Sequence, residues 1–340
     1  MPLTLTIDRE RWTSHQRDLL GEVPGLVPVA KGNGYGFGLA QLAGQAQVLG
    51  LGTIAVGIAQ EVDLVRAGGW TGDVVVLSPW RPFDELATAQ LVDPSVIVTI
   101  SRVEDLKALA EQHPGTRVIV EIETSMHRHG LEPGQINPDD LDRLRFEGWT
   151  IHLPATGSLA EARRLARAGL AVRPGPIWVS HLSVADYRAL HDELDVETHM
   201  RVGTRLWLGD KGAYRTTATV LDVHPIAKGA ALGYHQHKAP KDGHLLIVSG
   251  GTAHGVAMAA PVPQRSLRQR GVTIAQGVLD AVGRTLSPYE VAGRKRDFAE
   301  PPHMHSSMIF MPGEARVKVG DEIPVTTRMT TVTTDEIRWA

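Results

Sequence analysis

A single lysine ends a short apolar run near the start of the chain, and a glycine-rich segment follows it at once. The run covers residues 27–30, the lysine is Lys31, and the segment continues through Tyr35 to Gly38. An apolar run bounded by glycines predicts a buried strand, and lysine is rarely left inside a core. Such a lysine can form a Schiff base, because burial lowers the pKa of its amine and frees the lone pair. The alternative is a strand-end lysine whose ammonium reaches solvent.

The segment from Lys31 to Gly38 reads Lys-x-Asn-x-Tyr-Gly-x-Gly. It resembles the cofactor-lysine motif of bacterial alanine racemases, which are fold-type III pyridoxal phosphate (PLP) enzymes. The resemblance implies that Lys31 carries PLP and that Tyr35 helps to hold its phosphate. Phe37 stands where that family usually has histidine.

An arginine-containing segment in the middle of the chain is a second match. Residues 121–130 resemble the family's Asp-Thr-Gly-Met-x-Arg-x-Gly, whose arginine bonds the phenolic oxygen of PLP and approaches the substrate carboxylate. By resemblance this role falls to Arg128, and a planar guanidinium suits a carboxylate because it can bond both oxygens. Glu121 stands where many racemases have a carbamylated lysine, so its carboxylate is expected to hold Arg128 directly. Without the resemblance, this segment would be interpreted as a charged surface loop.

Three other segments resemble family residues that surround PLP. His152 matches a histidine that lies against the ring, although a histidine on an apolar strand is more often a core residue. Arg201 matches the arginine that faces the pyridine nitrogen. Because arginine does not readily give up a proton, the nitrogen would stay unprotonated. The ring would then be a weaker electron sink, which disfavours side transamination. The alternative for Arg201 is a surface residue. Gly203 and Thr204 would supply N–H groups to the phosphate, and Ser183 lies near the family's phosphate-binding serine in a looser match.

The chain departs from the family where a second acid/base is expected. The family's Gly-Tyr-Ala-Asp-Gly becomes Gly-Thr-Ala-His-Gly, with Thr252 at the tyrosine and His254 at the aspartate. A threonine hydroxyl is far too weak an acid to replace a phenol with a pKa of about 10. Thr252 and His254 are expected on one face of a strand. His254, or His305 in a later segment that resembles the family's Cys-Met-Asp, is a candidate acid/base. The alternative is that both histidines fill the space of the missing phenol.

Two His-x-His pairs and one Gly-x-Gly segment are candidates for a metal site and a dinucleotide site. His235 with His237, and His303 with His305, would place two imidazoles on one strand face, where they could chelate a divalent metal. No carboxylate motif accompanies either pair, so no metal site is predicted. The segment 50–52 lacks the Gly-x-Gly-x-x-Gly frame of a dinucleotide site.

Short apolar runs recur through the first two-thirds of the chain, with helical patterns between several of them. Strands are predicted at residues 26–30, 53–57, 74–77, 96–100, 118–122, 150–152, 177–179 and 205–208, and helices at 60–67 and 159–168. About eight strands in such alternation predict an α/β protein with a (β/α)8 TIM barrel over residues 8–215. Chemistry in such barrels lies at the carboxyl ends of the strands, and Lys31 follows the first of them.

The character of the sequence changes after about residue 215. Short β-prone runs at residues 217–223, 244–248, 272–275 and 316–319 are separated by Gly, Pro and turn residues. They predict a mostly β domain over residues 216–340. The N-terminal strand, residues 1–7, is apolar and alternating, and could pair with this domain.

Bulk composition is that of an ordinary enzyme. The 340 residues are 42% hydrophobic with a net charge of −3, which gives no electrostatic reason to expect nucleic acid or a membrane as a partner. The absence of cysteine excludes disulfides, thiolate catalysis and Cys-based zinc sites. No secretory signal or membrane-spanning run is visible, so cytoplasmic residence is expected.

The matched segments follow one another in the family's order over nearly the whole chain. The resemblance implies a PLP-dependent racemase of alanine or another small amino acid, with an altered second base, working as a homodimer with composite active sites. A PLP lyase (an aldolase, dehydratase or decarboxylase) needs only one base and remains an alternative. A non-catalytic PLP-binding protein is a further alternative, although the family's non-catalytic relatives are usually barrels alone.

Overall fold

The structure is a computed structural model that describes residues 2–258 and 285–340. The chain begins with strand β1 (Leu3–Ile7) and helix α1 (Arg9–Glu22). It divides into two compact units, one formed by Thr13–Asp210 and the other by Met1–Trp12 together with Lys211–Ala340.

The unit formed by Thr13–Asp210 is built around a sheet of eight parallel strands. The strands are β2 (Leu26–Pro28), β3 (Thr53–Val56), β4 (Asp73–Pro79), β5 (Val96–Ile100), β6 (Arg117–Ile122), β7 (Arg145–His152), β8 (Ile177–Ser180) and β9 (Thr198–Val202). They pair in the order β2-β9-β8-β7-β6-β5-β4-β3. A parallel bridge between Val29 and Ala55 joins the two ends of this order, so the sheet is nearly closed. The predicted (β/α)8 barrel is confirmed.

Helices alternate with these strands. They are α2 (Leu39–Val48), α3 (Glu61–Ala67), α4 (Glu85–Ala89), α5 (Val103–Gln112), α6 (Pro138–Asp142), α7 (Leu159–Val172), α8 (Val184–Glu193) and α9 (Thr204–Leu208). Helix α7 illustrates the local cause, because Ser158 caps its first turn by accepting the N–H of Glu161. Ala162, Leu165 and Ala166 recur at spacings of three or four residues and form its buried face.

The barrel interior is filled by apolar side chains. The buried cluster consists of Val27, Val29, Ala55, Val75, Ile97, Ile119 and Trp178. A packed interior of this kind leaves the strand ends and the loops that follow them as the place for polar chemistry.

The eighth strand of the barrel is not the predicted one. Residues 205–208 belong to helix α9, and the eighth strand is β9. Leu206 and Trp207 are buried in α9, and a short apolar run is buried as helix or as strand, so periodicity alone does not distinguish the two. The correction places Arg201 on β9 and Gly203 directly after it.

The second unit is mostly β structure. Besides β1 it contains β10 (Tyr214–Ile226), β11 (Ala231–Leu232), β12 (His237–Lys238), β13 (Gly243–Ser249), β14 (Leu286–Val291), β15 (Arg294–Phe298), β16 (Ser306–Pro312), β17 (Glu322–Pro324) and β18 (Glu336–Trp339). Its main sheet runs β14-β15-β16-β13-β10-β1-β18, with β17 beside β10. Strand β1 pairs antiparallel with β10, Leu3 opposite Ala218. The predicted β character and the pairing of the N-terminal strand are confirmed.

Two strand predictions in this unit have other outcomes. The strand predicted at residues 316–319 is wrong, because this stretch has no strand structure and β17 begins only at Glu322. The carboxylate of Asp321 accepts the N–H of Lys318 at 2.9 Å, which commits the backbone to a turn. The strand predicted at residues 272–275 lies outside the described residues. Within the described residues, no helix is both long and apolar enough to cross a membrane.

Candidate active site

Lys31 follows β2 at the carboxyl end of the barrel strands. Its pKa is lowered by burial and, next, by the positive charges of Arg128 and Arg201. The charge of Glu61 acts in the opposite direction. An amine that is partly desolvated among cations is held closer to its neutral, nucleophilic form.

Glu61 is a site residue that the sequence did not reveal. It is buried at the first position of α3, and its two carboxylate oxygens accept N–H groups of Gly32 (2.6 Å), Gly57 (2.6 Å) and Ile58 (3.2 Å). It therefore joins the loop after β2, which carries Lys31, to the loop after β3. The available signal was an acidic residue at the start of a predicted helix directly after a strand.

Tyr35 links the lysine loop to the loop after β9. It lies in a 3₁₀ turn, Gly34–Gly36, with a φ of +54°, which is uncommon for a residue with a Cβ. Burial first, and then the charge of Glu61, raise the pKa of its phenol to about 12, and its side chain hydrogen-bonds Thr204. A Cβ at Gly203 would collide with the Tyr35 hydroxyl. The structure thus brings together three residues predicted for the phosphate: Tyr35, Gly203 and Thr204.

Arg201 is a buried arginine with an unsatisfied donor. Burial lowers its pKa to about 10, Glu121 opposes this effect, and Arg128 adds to it. Its Nη2 lies 3.5 Å from the carbonyl of Ile151, and its Nε has no hydrogen-bond partner among the described residues. A buried N–H without an acceptor is costly, so this atom is free to donate to a group that enters the site.

The charge of Arg128 acts on Glu121, but the two side chains are not in contact. Glu121 is buried at the end of β6, whereas Arg128 is exposed in the loop that follows. Within the described part of the chain, Glu121 Oε2 has no hydrogen-bond partner, and no ion pair joins it to Arg128. Burial raises the pKa of the Glu121 carboxyl, while Arg201, Arg128 and Arg81 oppose the shift. The expected direct contact is therefore wrong, and the interaction acts through space.

His152 lies at the end of β7 and is neutral. Its Nδ1 is 2.8 Å from Oγ of Ser180 at the end of β8, and its ring centroid is 5.2 Å from that of His181. Burial, followed by the charges of Arg201 and Arg128, lowers the pKa of His152 to about 3. His181 was not predicted; burial and the same cations lower its pKa as well. A neutral imidazole pair is suited to lie against an aromatic ring without adding charge.

Ser183 caps helix α8. Its Oγ accepts the N–H of Asp186 at 3.0 Å and donates to the Asp186 carboxylate at 2.7 Å. A serine at this position stabilises a helix start without any ligand. A phosphate contact for Ser183 stays a prediction, and it competes with this capping role.

Thr252 and His254 lie in the second unit, on a 3₁₀ turn rather than a strand. The prediction that they share one strand face is wrong, because a 3₁₀ helix turns about a third of a circle per residue. The cause is local pairing: the N–H groups of Thr252 and Ala253 donate to the carbonyls of His303 (2.9 Å) and Met304 (3.0 Å).

Both nitrogens of His254 are occupied. Nδ1 accepts the N–H of Gly251 at 3.2 Å, so Nε2 carries the proton and donates to Oδ1 of Asp335 at 3.0 Å. The other oxygen of Asp335 accepts the N–H of Leu3 at 2.8 Å. His254 is buried, and its hydrogen bonds favour the interpretation that it fills space and joins backbone segments.

The two His-x-His pairs do not lie on single strand faces as predicted. His235 is in a turn, and His303 and His305 precede β16. The rings of His235 and His237 are 6.0 Å apart. In the stretches that the structure describes, no group of three or more His, Asp or Glu is placed to hold a metal ion.

Known proteins match both the sequence and the fold. The family described as "Alanine racemase, N-terminal domain" matches residues 9–207. An alanine racemase of Desulfovibrio desulfuricans is 28% identical over 180 residues, which are 49% of this chain and 48% of that protein. One of Nitratidesulfovibrio vulgaris is 27% identical over 262 residues, 68% of this chain and 69% of that protein. The chain thus matches about half of the first relative and about two thirds of the second.

A solved structure supports the fold over the full length. The crystal structure of alanine racemase from Bartonella henselae with covalently bound pyridoxal phosphate is similar over 100% of both chains, with a TM-score of 0.75 at 17% identity. At this identity the likeness is one of fold. The family match covers more than half of the sequence, and the chain belongs to the alanine racemase N-terminal domain family.

Proposed function

We propose that this protein is a PLP-dependent racemase of the alanine racemase type, acting on alanine or another small amino acid, with a second proton-transfer group that is not tyrosine. One observation carries the proposal. The barrel mouth combines a lysine of lowered pKa with a buried arginine whose Nε has no acceptor among the described residues.

The residues of the barrel mouth fit PLP. Lys31 Nζ would carry the cofactor, and Nε of Arg201 would donate to the pyridine nitrogen. The Tyr35 hydroxyl, with its pKa raised to about 12, stays protonated and would donate to the phosphate, together with the N–H groups of Gly203 and Thr204. His152 would lie against the ring. When bound, PLP supplies an electron sink that stabilises negative charge at the substrate α-carbon.

Racemisation requires that a proton leave one face of the α-carbon and return to the other. On one face, the Lys31 amine would exchange the proton, because its lowered pKa brings it closer to working pH. Arg128 is exposed and would bind the substrate carboxylate with its planar guanidinium. Thr252 would hydrogen-bond but not exchange protons at useful rates.

The opposite face needs another titratable group, and the histidines near Thr252 are the candidates. A role for His254 stays a prediction that its two hydrogen bonds disfavour. His305 has an exposed residue position and its ring centroid is 5.8 Å from that of His254. His303 differs from both, because a buried carboxylate orients its ring.

His303 and Glu300 form this oriented pair. The Glu300 side chain is 1% exposed, and its oxygens bind the N–H of Tyr234 (2.7 Å) and Nε2 of His303 (2.6 Å). Because the carboxylate accepts, Nε2 carries the proton and Nδ1 is the basic nitrogen. The His303 carbonyl accepts the N–H of Thr252 at 2.9 Å. We therefore propose His303 as the second proton-transfer group, with Glu300 setting its tautomer.

We also propose a homodimer with composite active sites. Lys31 and Thr252 belong to different units of the chain. Two-fold dimers are the commonest oligomers, and in such a dimer Thr252 of one copy would complete the barrel mouth of the other. Light scattering should give a dimer. A monomer that remains fully active at nanomolar dilution would contradict the proposal.

Exchange of the α-hydrogen in deuterated water tests the reaction. The PLP-loaded protein is incubated with single L- and D-amino acids, and deuterium incorporation and chirality are followed by NMR and chiral chromatography. A racemase exchanges both enantiomers and interconverts them. Thr252 stands where the family has its tyrosine, so a one-base lyase is the alternative. Such an enzyme would exchange or cleave only one enantiomer. A non-catalytic binding protein would bind PLP and exchange neither.

A further inference from the structure

We propose that Glu61 is the positioning residue of Lys31: it holds the backbone beside the lysine and supplies the negative charge that offsets the two arginines acting on the lysine amine. The inference rests on the proposed function only in taking Lys31 as the cofactor lysine. Glu61 matches none of the motifs that identify the site in the sequence.

The hydrogen bonds of Glu61 bracket Lys31. One oxygen accepts the N–H of Gly32, the residue after Lys31, and the other accepts the N–H groups of Gly57 and Ile58. Gly57 is itself pressed against the lysine, since a Cβ there would lie 3.1 Å from Lys31 Cβ. A carboxylate that accepts three backbone N–H groups holds two loops in one geometry. The backbone beside Lys31 is therefore tied to the loop after β3.

The charge of Glu61 has a separate effect. Burial first, and then the charges of Arg128 and Arg201, lower the pKa of Lys31, and the charge of Glu61 raises it. Among the described residues, Glu61 is the acidic group that opposes the arginines at this amine. The same charge raises the pKa of Tyr35. Glu61 thus acts on the proton affinity of both Lys31 and Tyr35, which lie in the loop after β2.

Two substitutions separate geometry from charge. Glu61→Gln keeps the length of the side chain but removes its charge and converts one acceptor into a donor, which faces a backbone N–H. Glu61→Asp keeps the charge but is one methylene shorter and cannot span the same three N–H groups. Asp84→Asn is the matched control, because Asp84 also accepts a backbone N–H at a helix start, that of Ala87 at 2.9 Å, and does not act on Lys31.

The proton affinity of Lys31 is measured by competitive acetylation of the full chain without PLP, read peptide by peptide in mass spectrometry across pH. Glu61→Gln should shift the midpoint of Lys31 labelling to lower pH. Glu61→Asp should shift it less, and Asp84→Asn should leave it at the wild-type value. An unchanged midpoint in Glu61→Gln, with the variant folded, would overturn the charge assignment.

Amide hydrogen exchange measures the geometry. The N–H groups of Gly32 and Gly57 should exchange faster in both Glu61 variants than in the wild type or Asp84→Asn. Unchanged exchange at both glycines would overturn the positioning role. If Glu61→Gln does not fold, Glu61→Asp still tests the exchange prediction. The proposed function fails on a different result, namely a wild-type protein that does not bind PLP at Lys31.

Discussion

Replacing Gly203 by alanine tests how closely the loop after β9 packs against Tyr35. A Cβ at residue 203 would collide with the Tyr35 hydroxyl and lie 2.9 Å from its Cζ and 3.5 Å from Cβ of Val29. Tyr35 is buried and its side chain hydrogen-bonds Thr204. The ring therefore cannot move aside without breaking that bond.

The expected loss follows from these two effects. Forcing a methyl group into a packed site costs about 1–3 kcal/mol, and a lost hydrogen bond costs about 1 kcal/mol. The free energy of unfolding should therefore fall by about 2–4 kcal/mol. Because Tyr35 and Thr204 are proposed to hold the phosphate, PLP affinity should fall at least about tenfold, which corresponds to roughly 1.4 kcal/mol.

Denaturant unfolding and fluorescence titration with PLP measure the two losses. Gly52→Ala is the control, because a Cβ at Gly52 meets nothing within 4 Å, and its stability should change by no more than about 0.5 kcal/mol. Tyr35→Phe removes the hydroxyl, so Gly203→Ala should cost less in that background. Equal costs of Gly203→Ala in the two backgrounds would refute the reasoning.

Three further predictions concern Lys31, His152 and His303. Lys31→Ala should lose the visible absorption of the lysine-bound cofactor, and borohydride should no longer fix PLP to the protein; a variant that retains reducible PLP would contradict the assignment of Lys31. Because the pKa of His152 is lowered to about 3, below the unfolded value of about 6.5, the unfolded state binds its proton first. As the pH decreases from about 6.5 to about 3, the free energy of unfolding should therefore fall by up to about 1.4 kcal/mol per pH unit. His152→Gln should flatten this slope in acid unfolding curves. His303→Asn should abolish α-hydrogen exchange from one enantiomer and spare the other, whereas His254→Asn should spare both while lowering the melting temperature; retention of both rates in His303→Asn excludes it as the second group.

The local pattern predicted most of the barrel. Parallel strands buried on both faces are short apolar runs ended by turn residues, and that signal is contained in a few adjacent residues. Strand β2, which precedes Lys31, and strand β7, which carries His152, follow from it. The pairing of β1 with β10 was expected instead from the alternating apolar pattern of the N-terminal residues. The same reasoning failed for residues 205–208, because a buried one-turn helix such as α9 has the same composition as a buried strand.

Other predictions were wrong, or are opposed, where a side chain or a segment distant in sequence forms hydrogen bonds that local patterns do not reveal. The 3₁₀ turn at Thr252 forms because carbonyls of residues 303 and 304 accept its N–H groups, and no pattern within the turn announces them. Ser183 is a plausible phosphate ligand by position, yet its hydroxyl is engaged by Asp186 in the helix cap. Glu121 and Arg128 are seven residues apart, but one is buried in a strand and the other exposed in a loop.

The sequence by itself determined the barrel with a second β unit, because that signal lies in short runs of neighbouring residues. It also predicted Lys31 as the cofactor lysine and Thr252 at the position of the family's tyrosine, and both stay predictions. Only the tertiary structure decided the electrostatic state of the site. The proton affinity of Lys31 depends first on its burial and then on the charges of Arg128, Arg201 and Glu61, which are far apart along the chain. Electrostatic effects and hydrogen bonds depend on distance in space and on burial, and the fold alone brings these charges to the ends of the strands.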